Sequence, residues 1–151
     1  AWTRRRADSK GIGWNSMVNI QLMQGDCLER MNEIPDDSVD MVLCDLPYGT
    51  TQNKWDSVIP FEPLWTQYRR VIKSNGAIVL FGAEPFSSAL RMSNIKAYKY
   101  DWIWEKEQSS SGLTAQTQPL KKHEIISVFY QTYVLASFLT RVKHNCVQFL
   151  L

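Results

Sequence analysis

Glycine is sparse in this chain: seven among 151 residues, at positions 11, 13, 25, 49, 76, 82 and 112. No G-x-x-x-x-G-K-[ST] loop can be built from them, which excludes a Walker-type phosphate cradle. Histidine is rarer, with two, and the three cysteines Cys27, Cys44 and Cys146 form no C-x-x-C. Neither a metal cluster nor a disulfide framework fits that inventory, so the thiols are expected to be reduced and mostly buried in a cytoplasmic protein without metal. Long hydrophobic runs are missing too. The longest stretch free of charge, Ile125 to Thr140, has 16 residues, fewer than the roughly 20 apolar residues of a membrane helix, so no membrane partner is expected. No Ser-His-Asp or Cys-His device is legible.

What is present is an ordinary globular composition, 44% hydrophobic and 21% charged, in a length that suits one domain with a core of its own. Charge is unevenly spread. Residues 1–16 hold Arg4, Arg5, Arg6 and Lys10 against Asp8, begin with Ala1 and show no apolar period; they read as a basic leader or non-native extension ahead of Met17, or alternatively as a basic arm for nucleic acid. Residues 17–62 carry two basic and nine acidic side chains, whereas residues 63–151 carry eleven basic and five acidic. The second half is suited to anions, although solvated helix faces also collect lysine.

Periodicity orders the elements. Val18 to Met23 alternates weakly, as a short edge strand would, and Cys27 to Asn32 forms a helical turn or two. Val39 to Cys44 is a buried strand ending at Asp45-Leu46-Pro47-Tyr48-Gly49. Phe61 to Lys73 has a helical apolar stripe, Ala77 to Gly82 is a second apolar strand, and Pro85 opens a helix through Arg91. Lys99 to Trp104 and Glu124 to Tyr130 are further strands, with Trp102, Trp104 and Tyr130 expected in the core because aromatics in apolar strands pack inward. Gln108 to Lys122 reads as a long polar loop. The β-α-β-α-β order predicts an α/β fold, a doubly wound and mostly parallel sheet.

In such sheets ligands sit beyond the carboxyl ends of strands, where Asp45 to Tyr48 falls. A carboxylate, a backbone carbonyl before a proline and an aromatic ring are tools for a flat base bearing an exocyclic amine. That amine is a poor nucleophile because its lone pair is delocalised into the ring. The Asp45 carboxylate and the Leu46 carbonyl supply two acceptors that draw its protons out of plane, while Tyr48 offers a face for an extruded base. Read more plainly, Pro47 and Gly49 merely end a strand.

Asp45-Leu46-Pro47-Tyr48 resembles the D-P-P-Y signature of amino-methylating DNA methyltransferases, and the flanking text resembles the phage and prophage type, in the permuted (β) order that places this motif first. Gly25-Asp26-Cys27-Leu28, Asn75 to Gly82, Trp102 to Lys106 and His123-Glu124-Ile125 agree in order. The resemblance implies a Rossmann-like S-adenosylmethionine-dependent fold over residues 17–130 and methyl transfer to N6 of a flipped adenine in double-stranded DNA, as in restriction-modification. Asp at the first motif position favours adenine over cytosine N4. The same resemblance assigns catalysis to Asp45, Leu46, Pro47 and Tyr48, and cofactor binding to Asp26, Cys27 and Asp45. It assigns DNA or target-base contacts to Tyr48, Gly49, Phe81, Gly82, Lys121, Lys122 and His123. Asp26 equally suits a helix cap, and Lys121-Lys122 a solvated pair.

The family's F-x-G-x-G turn is not found. Only Gly11 and Gly13 have the spacing, and residues 131–151, which do not resemble the family, hold no glycine. The expectation is a domain truncated before that motif, its activity alone left open, with cofactor affinity weaker than low micromolar by calorimetry. It also carries an unpaired sheet edge through which copies could form a homo-oligomer. A non-catalytic DNA-binding remnant, or an enzyme acting on cytosine N4, remains the alternative.

Overall fold

A computed structural model of the chain describes residues 20–54, 56–110, 116–117, 119–131 and 146–149, with residues 109–110 and 146–149 described by backbone alone. Strand β1 (Val39–Asp45) and strand β2 (Ile72–Gly82) pair in parallel. Parallel neighbours require a crossover, and helix α2 (Phe61–Val71) supplies it. Its buried positions Leu64, Trp65, Tyr68 and Val71 form one stripe, the face such a crossover turns to the sheet. The helix stops at Val71, ahead of the expected Lys73, because Ile72 turns to ψ 134° and joins β1 opposite Val39. Residues 73–76 are looped out before Ala77 resumes pairing with Met41.

Strand β3 (Tyr98–Ser110), strand β4 (Lys121–Phe129) and strand β5 (Cys146–Phe149) complete a five-stranded sheet of order β3-β4-β2-β1-β5. Strand β4 is antiparallel to both β2 and β3, and β5 is parallel to β1. Four strands thus point one way and β4 runs against them, in keeping with the expected α/β, mostly parallel sheet. Strand β5 comes from the stretch that resembles no family segment, yet its backbone extends the sheet beside β1, Met41 opposite Cys146 through Cys44 opposite Phe149.

Helices α1 (Cys27–Met31) and α3 (Phe86–Ser93) join α2 in the packing. Met31, Leu64, Trp65, Tyr68, Val71, Phe86 and Leu90 form one cluster with Val42, Cys44, Ile78, Leu80 and Phe129. Those strand residues lie opposite one another in the register, so the three described helices cover a single face. Arg70 locks the arrangement. Its guanidinium donates to the carbonyls of Met31 (2.7 Å) and Ile34 (2.8 Å) and to the carboxylate of Asp36 (2.5 Å), tying the end of α1 and the following turn to α2.

Three expectations change. Of the expected strand Val18 to Met23, residues 18 and 19 lie outside the described residues, and the rest shows a single bridge at Ile20, with Ile20 and Leu22 exposed. The polar loop is shorter than read, because β3 runs on to Ser110 and β4 starts at Lys121. A ribbon wetted on both sides needs no apolar alternation, so its pattern resembles a loop. Trp102 and Trp104 are not core: they are exposed on β3, the edge strand.

Candidate active site at the rim of the sheet

Asp45 is the last residue of β1 and is exposed. Leu46 follows with its side chain 4% exposed and within the core cluster, an anchor that fixes where the chain leaves the sheet. Pro47 is buried and Tyr48 half-buried. The turn brings the Tyr48 hydroxyl back to Asp45, donating to Oδ1 at 2.5 Å. The Tyr48 ring leans on Phe86 at 5.1 Å between centroids, and Phe86 in turn meets Phe61 at 5.8 Å. Burial, then the bond to Asp45, pushes the Tyr48 phenol well above its usual range. The phenol therefore stays protonated, a fixed donor.

Beyond Tyr48 the backbone is held by a residue that the motif reading missed. Asp56 is buried, and its carboxylate accepts from the amides of Gly49 (2.9 Å), Thr50 (2.9 Å) and Thr51 (2.6 Å). The Thr51 amide, aided by the other two, holds the Asp56 carboxyl below its ordinary range. Gly49 sits at φ +67°, and a Cβ there would lie 2.9 Å from Val58 Cγ2. The only signal in the sequence was a small polar run followed by an acid, which any turn shows.

Phe81 pairs with Asp45 across the β1–β2 register, so its half-buried ring belongs to the same rim. Gly82 is buried against α3, where a Cβ would meet Ser87 Oγ at 2.5 Å; its bareness serves close packing. Asp26 caps α1, its Oδ1 accepting from the amides of Leu28 (2.9 Å) and Glu29 (3.2 Å). Cys27 is half-buried, its thiol raised by burial and then by Asp26. It lies near enough to Cys44 to add to the rise of that thiol, which burial takes to about 11 against a lowering hydrogen bond from Tyr68. Neither Cys27 nor Cys44 is in a disulfide. The Asp26-Cys27 turn thus meets β1 one residue short of Asp45.

Lys121, Lys122 and His123 are not gathered at this rim. Ile126 shares the row of Phe81 and Asp45, and Lys121 stands five residues before it, roughly 17 Å along the strand at about 3.4 Å per residue. Pairing of β4 with β2 starts only at Ile125, so the β3–β4 ribbon projects beyond the sheet with these three residues on it. Among the described residues no group of three His, Cys, Asp or Glu side chains could hold a metal ion, and no helix is long and apolar enough to cross a membrane.

No family model matches the sequence. It is similar to the type II methyltransferase M.HinfI of Haemophilus influenzae, 26% identical over 112 residues that cover 59% of this chain and 30% of that enzyme. The structure superposes on the cytosine-N4-specific PvuII DNA methyltransferase with a TM-score of 0.56 at 16% identity, covering 83% of this chain and 55% of that one. The chain shares part of that enzyme's fold. The M1.HpyAVI complex with S-adenosylmethionine shares that fold at a TM-score of 0.52 and 16% identity, over 70% of this chain and 52% of that one. The chain spans under a third of the curated relative and about half of each solved methyltransferase.

Proposed function

We propose that the chain carries the catalytic half of an S-adenosylmethionine-dependent DNA methyltransferase acting on N6 of an extruded adenine. The observation that carries this reading is the convergence of the Asp45 carboxylate and the Tyr48 phenol at the carboxyl end of β1, in the row of Phe81. With one Asp45 oxygen bonded to Tyr48, the carboxylate is oriented and keeps lone pairs for a substrate amine. The amine's second proton goes to the Leu46 main-chain carbonyl; since the Leu46 side chain is buried as an anchor, leucine in place of proline leaves that role intact. Drawing both protons out of plane localises the nitrogen lone pair, and the ring of Tyr48, backed by Phe86, supplies a face for the base.

The donor set fits the cofactor. S-adenosylmethionine bears hydroxyls, an amine and a cationic sulfonium, all of which seek carboxylates, and Asp26 and Asp45 are exposed carboxylates on adjoining segments. Cys27, kept a neutral thiol, suits the apolar side of that contact. When bound, the cofactor supplies an electrophilic methyl carbon; the residues here bind it and aim the amine. Gly49 belongs to the turn that presents Tyr48, while Lys121, Lys122 and His123 on the projecting ribbon meet the DNA backbone.

The test is incubation of the full chain with duplex DNA and methyl-labelled S-adenosylmethionine at millimolar concentration, followed by mass analysis of the nucleosides. N6-methyladenine that disappears in Asp45→Ala is the expected result. N4-methylcytosine would overturn the base assignment, and salt-dependent DNA binding without methyl incorporation would favour the non-catalytic reading.

A further inference from the structure

Strand β3 is the outer edge of the sheet, and it displays the rings that the sequence pattern assigned to the core. Tyr100, Trp102 and Trp104 are 40%, 36% and 50% exposed and alternate along the strand, so they share one face. Their register partners are Val128, Ile126 and Glu124 on β4. The Tyr100 and Trp102 rings are 5.6 Å apart, and Trp104 stands edge-on to Phe81 at 5.9 Å. Phe81 lies in the row of Asp45, which makes the ring series continuous with the candidate active site. Large exposed aromatic rings in a row are uncommon on a soluble surface without a partner.

Charge beside the rings is balanced. Lys106 continues the alternation, stands 5.8 Å from the Trp104 ring and pairs with Glu124, so these two charges offset each other. Asp101 turns to the helix face, where it meets Arg91 and Ser127; Glu105, opposite His123, follows it by alternation. Lys121 and Lys122 stand further along the same ribbon. Flat rings in series, running out from the rim that carries Asp45 and Tyr48, with Lys121 and Lys122 further along the ribbon, suit nucleobases joined by phosphates. A duplex buries the faces of its bases, so rings in series can take them only from unpaired nucleotides.

We propose that the exposed face of β3 is a stacking platform for unpaired DNA bases, with Tyr100, Trp102 and Trp104 as its rings. The platform rests on the reading of the chain as one that acts on DNA, and gives it a preference for strands already open around the target base. Opening costs unstacking, and rings that receive the neighbouring bases offset that cost.

The experiment measures fluorescence anisotropy of one labelled oligonucleotide, single-stranded and then annealed to its complement, with the full chain, together with intrinsic tryptophan emission. Tighter binding of the single strand by tenfold or more is expected, with quenching of tryptophan emission. Trp102→Ala and Trp104→Ala should each weaken single-strand binding by about five- to 150-fold, while Trp104→Phe, which keeps a ring, restores most of it. Equal affinity for the two DNA forms, or variants that bind the single strand like the parent, overturns the platform and leaves the methyltransferase reading standing. Failure to bind either form overturns both. A dimer in sedimentation that Trp104→Ala dissociates shows instead that a second copy covers this face, and overturns the proposal.

Discussion

A carboxylate can draw protons from an aromatic amine only while it remains an acceptor held in one direction, and the Tyr48 hydroxyl at 2.5 Å does the holding. Replacing Asp45 with Asn keeps its volume but turns one acceptor into a donor aimed at the amine. Methyl incorporation is expected to fall by about 10²- to 10⁴-fold, the usual share of a positioned proton acceptor, with DNA affinity preserved; unchanged turnover would remove Asp45 from the chemistry. Tyr48→Phe keeps the ring against Phe86 and loses only the orienting bond, so a decrease of roughly fivefold is expected, consistent with about 1 kcal/mol for one hydrogen bond. Asp56 has a different signature. Its carboxyl is depressed when folded, so its contribution to stability is present above the unfolded value near about 4 and is lost as pH falls through the lower folded value. Asp56→Asn should therefore melt earlier than the parent at neutral pH, with the gap closing in strong acid. A gap that is constant with pH would show that the three amides gain nothing from the charge.

Among the elements, α1 is too short to stand alone, since five residues close barely one turn. It persists because Asp26 caps one end and the Arg70 guanidinium binds the carbonyls at the other. Lysine cannot reproduce that fork. Arg70→Lys is expected to cost about 1–3 kcal/mol through carbonyls left without their donor, read as a lower urea midpoint, and a midpoint unchanged from the parent would deny α1 this support. Elements of this kind were only partly legible. Val39 to Cys44, Phe61 to Val71 and Ala77 to Gly82 announced themselves, because burial on a whole strand or along one helix face leaves a period in the residues. So did the Asp45 to Tyr48 motif, whose position at a strand end follows from topology. Strand β5 left no such trace: Cys146 to Phe149 is four residues long, and its order comes from pairing with β1, a contact between segments far apart in the chain. Asp56 was invisible for the same reason, since an acid seven residues from the glycine it holds has no periodic signature. Trp102 and Trp104 misled because strand propensity is the same whether a ring faces core or solvent.

On the scale of the whole molecule, charge and topology act together. The acidic segment, residues 17–62, contains β1, α1 and the start of α2, while the basic excess lies in residues 63–151. Strands β3 and β4 themselves balance four lysines against four acids, so a contact of the ribbon with DNA would rest on Lys121 and Lys122 at its projecting end and not on net charge. If Lys121 and Lys122 each neutralise one phosphate, each releases condensed counterion and contributes about 0.9 to the slope of log affinity against log salt on duplex DNA. The double replacement Lys121→Ala, Lys122→Ala should thus flatten that slope by about two and weaken binding uniformly across sequences, because backbone contacts carry no base information. Loss of affinity with an unchanged slope would place the phosphate contacts elsewhere and make the pair a structural feature of the ribbon. A slope that falls while methylation of a saturating duplex persists would separate the two ends of the sheet's edge by role, with the ribbon gathering DNA and the Asp45 rim performing the transfer.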